Sequence, residues 1–165
     1  MPDYEETLYE ETVKLDTWIV SLVGVVLLAL VGTIIGLVLN GVPANDRIGL
    51  PISALVTVVI ALVFWNYREI RIRVTRHALE ARYGVLNQTV IPLSEIESCQ
   101  PTRARFGRYL GVGVRMGLDG SIAYTTSFGT AVEIRRRSRR PFVVSTNRSL
   151  ELSQVVNAAL QRTRG

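Results

Sequence analysis

The chain has 165 residues, 48% hydrophobic and 20% charged, with a formal net charge of +5 and a mean hydropathy of +0.26. One Cys excludes a secreted disulfide scaffold, and the apolar content excludes a disordered chain. The charge is uneven: residues 1–16 hold six acidic groups and one Lys, whereas residues 68–165 hold 17 Arg and seven acidic groups. The length leaves room for one small domain beside a membrane anchor, not for a multi-domain enzyme.

In chain order, residues 1–16 read as an acidic leader. As a short charged terminus it is expected to be mobile, with folding back onto the Arg-rich part or contact with a neighbouring subunit as alternatives. Residues 17–40 and 48–67 are then two runs without a charged side chain. A bilayer core of about 30 Å needs roughly 20 apolar helical residues. In lipid only a helix satisfies its own backbone, so even these Val- and Ile-rich runs read as membrane helices, at about 18–40 and 48–67. Pro51 falls in the first turn of the second run, where a missing N–H costs little. A cleaved signal peptide is excluded by the acidic flank, the long apolar stretch and the lack of a small-x-small site. Residues 41–49 are turn formers, so the two runs form a hairpin spanning 17–67.

Arg68, Arg71, Arg73 and Arg76 follow the second helix, against Arg47 alone in the loop, which places both termini in the cytoplasm of a multi-pass inner-membrane protein. Trp18, Trp65 and Tyr67 suit the same interface. Small residues lie on one face of each helix: Gly24, Gly32 and Gly36 on the first, Ser53, Thr57 and Ala61 on the second. They are expected to pack against each other within the hairpin, with Gly36 meeting Ser53, Gly32 meeting Thr57 and Gly24 receiving Trp65. The competing use of Gly32-Thr-Ile-Ile-Gly36 is dimerisation of two chains.

From Glu69 the period changes to two. Ile70, Ile72 and Val74 alternate with Arg71, Arg73 and Thr75, and Leu79, Ala81 and Tyr83 with Glu80 and Arg82. Further short strands read at 88–93, 96–100, 111–116, 121–126, 131–136 and 142–145, separated by turn signals such as Leu118-Asp-Gly-Ser121. Leu152, Val155, Val156, Ala159 and Leu160 then describe an amphipathic helix capped by Ser149. The expectation is a mainly-β domain over 68–165, an antiparallel barrel of about seven to eight strands closed by a C-terminal helix.

Strands followed by one closing helix, together with Ile70-Arg-Ile-Arg-Val-Thr75, Ile91-Pro-Leu-Ser-Glu-Ile96, Gly111-Val-Gly-Val-Arg115 and Val143-Val-Ser-Thr146, resemble the bacterial pleckstrin-homology-like domains of small membrane proteins. The resemblance runs over roughly 69–161, with Val112 where that family commonly has Trp. It implies a PH-like barrel and a noncatalytic, membrane-linked scaffold role.

Catalytic constellations are nearly absent. His77 is the one histidine and Cys99 the one cysteine, which excludes multi-His and multi-Cys metal sites. Each is expected to be structural. No nucleotide-binding glycine loop is present, so neither cofactor nor metal is expected. The polar feature that stands out is basic: Arg68, Arg71, Arg73 and Arg76, and the hairpin tip Arg135, Arg136, Arg137, Arg139 and Arg140. Near an anionic leaflet each Lys or Arg gains about 1 kcal/mol, so these arginines are expected to face lipid headgroups. Nucleic acid is not an expected partner, since exposed aromatics do not interleave with the arginines. The functional expectation is a membrane-anchored interaction or scaffold module binding a protein partner or an anionic lipid surface. The alternative is a structural subunit of a membrane homo-oligomer.

Overall fold

The computed structural model describes residues 6–41, 48–109 and 111–164, except for the side chains of Phe106, Arg108 and Arg164. The chain divides into two compact units, residues 15–67 and a second unit in which residues 1–14 join residues 68–165.

The first unit is helical: α1 spans Thr17–Leu39 and α2 spans Gly49–Asn66. Both are long and apolar enough to cross a bilayer, with hydropathies of 2.9 and 2.0. Neither is a core helix, because 0% and 6% of their apolar windows are buried. Their hydroxyls are satisfied locally: Thr33 donates to the Ala29 carbonyl, Ser53 to Gly49 and Thr57 to Ser53. Such back-bonding removes the need of these three hydroxyls for water. The expected turn at 42–47, including Arg47, lies outside the described residues.

The packing of the two helices corrects the small-residue expectation. On α1 the half-buried side chains are Val23, Leu27, Leu30, Ile34 and Leu37, spaced three and four apart. On α2 they are Leu50, Ser53, Ala54, Ile60, Ala61, Phe64 and Asn66, with Thr57 buried among them. Large and small residues are thus mixed on the half-buried face of α2, and Gly24 and Gly36 of α1 are half-buried as well. A Cβ added at Gly24, Gly32 or Gly36 would meet no atom within 4 Å, so these glycines mark no close approach. Trp65 is 67% exposed and does not cover Gly24.

In the second unit, β1 (Tyr9–Lys14), β2 (Glu69–Val74), β3 (Ala78–Tyr83) and β4 (Asn87–Pro92) form one antiparallel sheet in that order. A 3-10 turn at Leu93–Glu95 leads to β5 (Ile96–Ala104), and the short α3 (Phe106–Tyr109) follows it. The second sheet holds β5, β6 (Gly113–Met116), β7 (Ile122–Thr125), β8 (Gly129–Arg136) and β9 (Phe142–Ser145), in the order β5-β8-β9-β7-β6. The final helix, α4, spans Ser149–Arg164.

Alternation decides the inward face of the first sheet: Ile70, Ile72 and Val74 of β2 and Leu79, Ala81 and Tyr83 of β3 are all buried. The sheets meet through aromatic contacts. The Tyr83 hydroxyl donates to the Thr125 carbonyl at 3.1 Å, and the Tyr83 ring lies tilted against Tyr124 with centroids 6.0 Å apart, while Tyr124 in turn stands edge-on to Phe142 of its own sheet at 5.0 Å. All four residues of β9 are buried, as befits a central strand covered on both faces. Leu152, Val156, Ala159 and Leu160 form the buried stripe of α4, which packs on β5 and β8. Asn157 locks that contact: its amide donates to the Cys99 carbonyl at 2.9 Å and its oxygen accepts the Cys99 N–H at 3.2 Å. The outer edge of β5 is thereby capped rather than left open.

Three expectations change. Among the described residues no pairing closes the two sheets into one barrel; residues 68–165 supply eight strands, within the expected number, and β1 of the leader adds a ninth. The strands are not all antiparallel, since β7 and β9 run parallel, with Ile122 opposite Phe142. The leader is no mobile tail over its described length, because Tyr9–Lys14 is a strand of the first sheet. Alternation along a strand reports which face is buried, not which strand is its neighbour, so neither the parallel pair nor the split into two sheets was legible. In β1 the inward position between Tyr9 and Val13 is Glu11, and a charged residue there disguises the strand.

Candidate interaction surface

Because β1 pairs with β2, the two apolar helices are an insertion between two neighbouring strands, leaving after Lys14 and returning before Glu69, which are directly opposite in the register. The strand brings its acids with it. Glu6 pairs with Arg76. Arg73 donates through Nε and Nη2 to the Thr7 hydroxyl at 2.9 and 2.7 Å, and lies between Glu10 and Glu80 across the sheet. Arg71 is held by Glu69 at 2.7 Å. These exposed pairs add little stability, but they cancel the charge of the Arg71–Arg76 run. Arg68 is exposed between α2 and β2.

One leader carboxylate is buried. Glu11 is 7% exposed. It accepts hydrogen bonds from the Tyr9 hydroxyl at 2.7 Å, the Thr146 hydroxyl at 2.5 Å and the Asn147 N–H at 2.9 Å. Arg148 closes the cluster, donating to the Glu10 carbonyl at 3.1 Å and covering the Tyr9 ring at 4.9 Å. Burial and the bond to Glu11 push the Tyr9 phenol up to about 12. The cluster ties β1 to the segment that starts α4, and it is structural.

The second basic group keeps a surplus. Arg135 pairs with Glu133 at 3.3 Å, and Arg136 is turned back onto the Arg140 carbonyl at 2.8 Å. Burial, and then the neighbouring Arg139, lower the Arg136 guanidinium from its ordinary value, with Glu95 opposing them. Arg139 has only a 3.9 Å approach to Glu95, and Arg140 reaches the Met116 sulfur. Among the described residues the Arg137 side chain has no hydrogen-bond or ion-pair partner. These side chains and Ile122 line an open depression at the β8–β9 turn. A second basic depression, missed in the sequence, joins Arg103 and Arg105 of the β5 end to Thr130 and Ser149.

The register separates the two ends of the unit. Pairing of Ile96 with Arg136, and of the Leu93 N–H with the His77 carbonyl at 2.8 Å, puts the β8–β9 turn with the β2–β3 turn. The helix attachments at Lys14 and Glu69 lie at the other end of β2, six residues and about 20 Å away. The two Arg clusters singled out in the sequence therefore share the end remote from the attachments, Arg68 and Arg71 excepted. His77 is exposed in the β2–β3 turn. Cys99 is 2% exposed, and burial pushes its thiol up to about 12, which leaves it protonated and unreactive at neutral pH. Among the described residues no cluster of three His, Cys, Asp or Glu is placed to hold a metal ion.

Two packed sheets with a C-terminal helix are the architecture of a PH-like domain. A family model described as a bacterial PH domain matches residues 17–140, well over half of the chain. The chain belongs to the bacterial PH domain family. The matched stretch takes in both apolar helices and stops before α4. No curated protein and no solved structure matches the chain.

Proposed function

We propose that the protein is a noncatalytic interaction module anchored in the cell membrane by α1 and α2, and that the β8–β9 turn recognises an acidic protein segment. The apolar, unburied surface of both helices supports the anchor. Attachment of both to opposed residues, Lys14 and Glu69, supports a hairpin whose flanking chain lies on one side, the cytoplasmic side by the Lys/Arg rule. The observation that carries the recognition reading is the unbalanced charge at Arg137, Arg139 and Arg140. That turn lies about 20 Å from the helix attachments, more than two Debye lengths of roughly 8 Å at physiological salt, so an acidic partner suits it better than the leaflet.

The test uses the full chain in nanodiscs of neutral lipid, with a fluorescent polyglutamate peptide as the probe. Replacing Arg137, Arg139 and Arg140 together by Gln should weaken binding about tenfold, equivalent to about 1.4 kcal/mol, with the wild-type affinity falling as salt rises. Unchanged affinity would refute the role of the turn, and competition by anionic lipid in the same disc would reassign it to the leaflet.

The homo-oligomer reading also has an observation behind it. Gly32 is exposed and Gly32 and Gly36 are open to 4 Å, so the α1 glycine face is available to a second chain. Disulfide formation between chains carrying Gly32→Cys would support it, and monomers alone would remove it.

A further inference from the structure

We propose that the β3–β4 tip, Val85 and Leu86, enters the interfacial layer of the bilayer, giving the folded unit a membrane contact of its own. This rests on the anchoring of α1 and α2 proposed above. Val85 is 88% and Leu86 78% exposed. A three-residue hairpin loop in water favours Gly, Asn and Asp, whose backbones or short side chains suit the turn, yet here only Gly84, at φ +65°, fills that part. Two adjacent branched apolar side chains at the apex serve neither the turn nor the core.

Their position supplies the reason. The Gly84 N–H donates to the Glu69 carbonyl at 3.4 Å, and Tyr83 faces Ile70 in the register. The tip thus adjoins the residues where the apolar helices join the sheet. Only Tyr67 and Arg68 separate α2 from β2, a reach of about 7 Å at full extension. Trp18 and Trp65, 58% and 67% exposed, mark the expected interfacial level at those same helix ends. With the helices anchored as proposed, the chain leaves the bilayer surface within a few residues of Glu69, the residue to which the tip is hydrogen-bonded through Gly84.

The charges around the tip agree. On the outer face of the sheet exposed Arg82 stands across from Arg71, whose own charge is met by Glu69. Exposed Lys14 lies two strands away, opposite Glu69. An anionic headgroup layer is the surroundings in which an apolar apex beside the exposed Arg82 is favourable. Leu118 provides the internal contrast. It is also 78% exposed, but the β6–β7 turn that carries it is tied to the remote end, where the Ile122 N–H donates to the Pro141 carbonyl at 2.9 Å.

The experiment reconstitutes the full chain in phosphatidylcholine–phosphatidylglycerol vesicles with a polarity-sensitive fluorophore on one introduced cysteine, Leu28→Cys, Leu86→Cys or Leu118→Cys. Cys99 is buried and does not compete for label. The quenchers are lipids carrying a nitroxide midway along the acyl chain, the depth expected of position 28, and lipids carrying it near the headgroup, the depth expected of position 86. Expected are a blue shift and loss of emission at positions 28 and 86, with emission at 118 unchanged. Quenching at 28 without quenching at 86 would overturn the tip contact and leave the anchor standing. Absence of quenching at 28 would overturn the anchor itself. Equal quenching at 86 and 118 would replace the tip by a domain lying flat on the surface.

Discussion

Replacing Glu11 with Ala removes the one acceptor shared by Tyr9, Thr146 and Asn147. Hydrogen bonds to a charged group contribute about 1.5–3 kcal/mol each, but they are not additive and water re-enters a vacated site. A net loss of about 3 kcal/mol is expected, at the lower end of what breaking a buried charged cluster costs. For a folded unit of this size that lowers Tm by roughly 10 °C. Glu11→Gln keeps the shape and one acceptor oxygen, and should cost about half as much. Thermal unfolding of the full chain in detergent, followed by near-ultraviolet circular dichroism, ranks the three proteins. Hydrogen exchange then localises the effect: amides of β1 and its partner β2 should lose protection before those of β8 and β9. An alanine variant within about 2 °C of wild type would show that β1 is held by Tyr9, Val13 and its backbone pairing alone. A uniform loss of protection would show that Glu11 does not act through β1.

Other expectations follow from the same contacts. Asn157→Leu keeps the helix but leaves the Cys99 N–H and carbonyl without their partner, and should cost about 1–3 kcal/mol in a denaturant titration. Gly117→Ala should destabilise by about 1–3 kcal/mol, since its Cβ would meet Asp119, the Ser121 hydroxyl and, at 2.9 Å, the Tyr109 ring; a wild-type midpoint would show that this turn moves freely. Cys99 is raised from 9.0 to about 12 by burial, so its contribution is whole below pH 9 and is lost as pH rises toward 12. Cys99→Ala should flatten the alkaline fall in stability over that window, and an unaltered slope would assign the fall to other groups such as Tyr9.

Much of the strand framework was legible because alternation is a local property. Ile70, Ile72 and Val74 declare an inward face by themselves, and the stripe Leu152, Val156, Ala159 and Leu160 declares a helix. The basic surface was legible as composition but not as a site. Arg73 and Arg76 look alike in sequence to Arg137 and Arg139. They differ only because Thr7, Glu6 and Glu10, more than sixty residues away, arrive beside them on β1 and the segment that leads into it. Arg103 and Arg105 were overlooked because nothing local distinguishes them from solvated arginines until Thr130 and Ser149 are brought alongside.

By itself the sequence determined two long uncharged apolar helices, a two-residue strand period and an amphipathic C-terminal helix. Those properties depend on side chains within a turn or two of one another. Tertiary structure alone decided that the acidic leader is a strand and that β7 and β9 run parallel. It also decided which arginines remain unbalanced. These outcomes rest on contacts between distant segments, where pairing partners and charge neighbours are chosen by the whole chain at once.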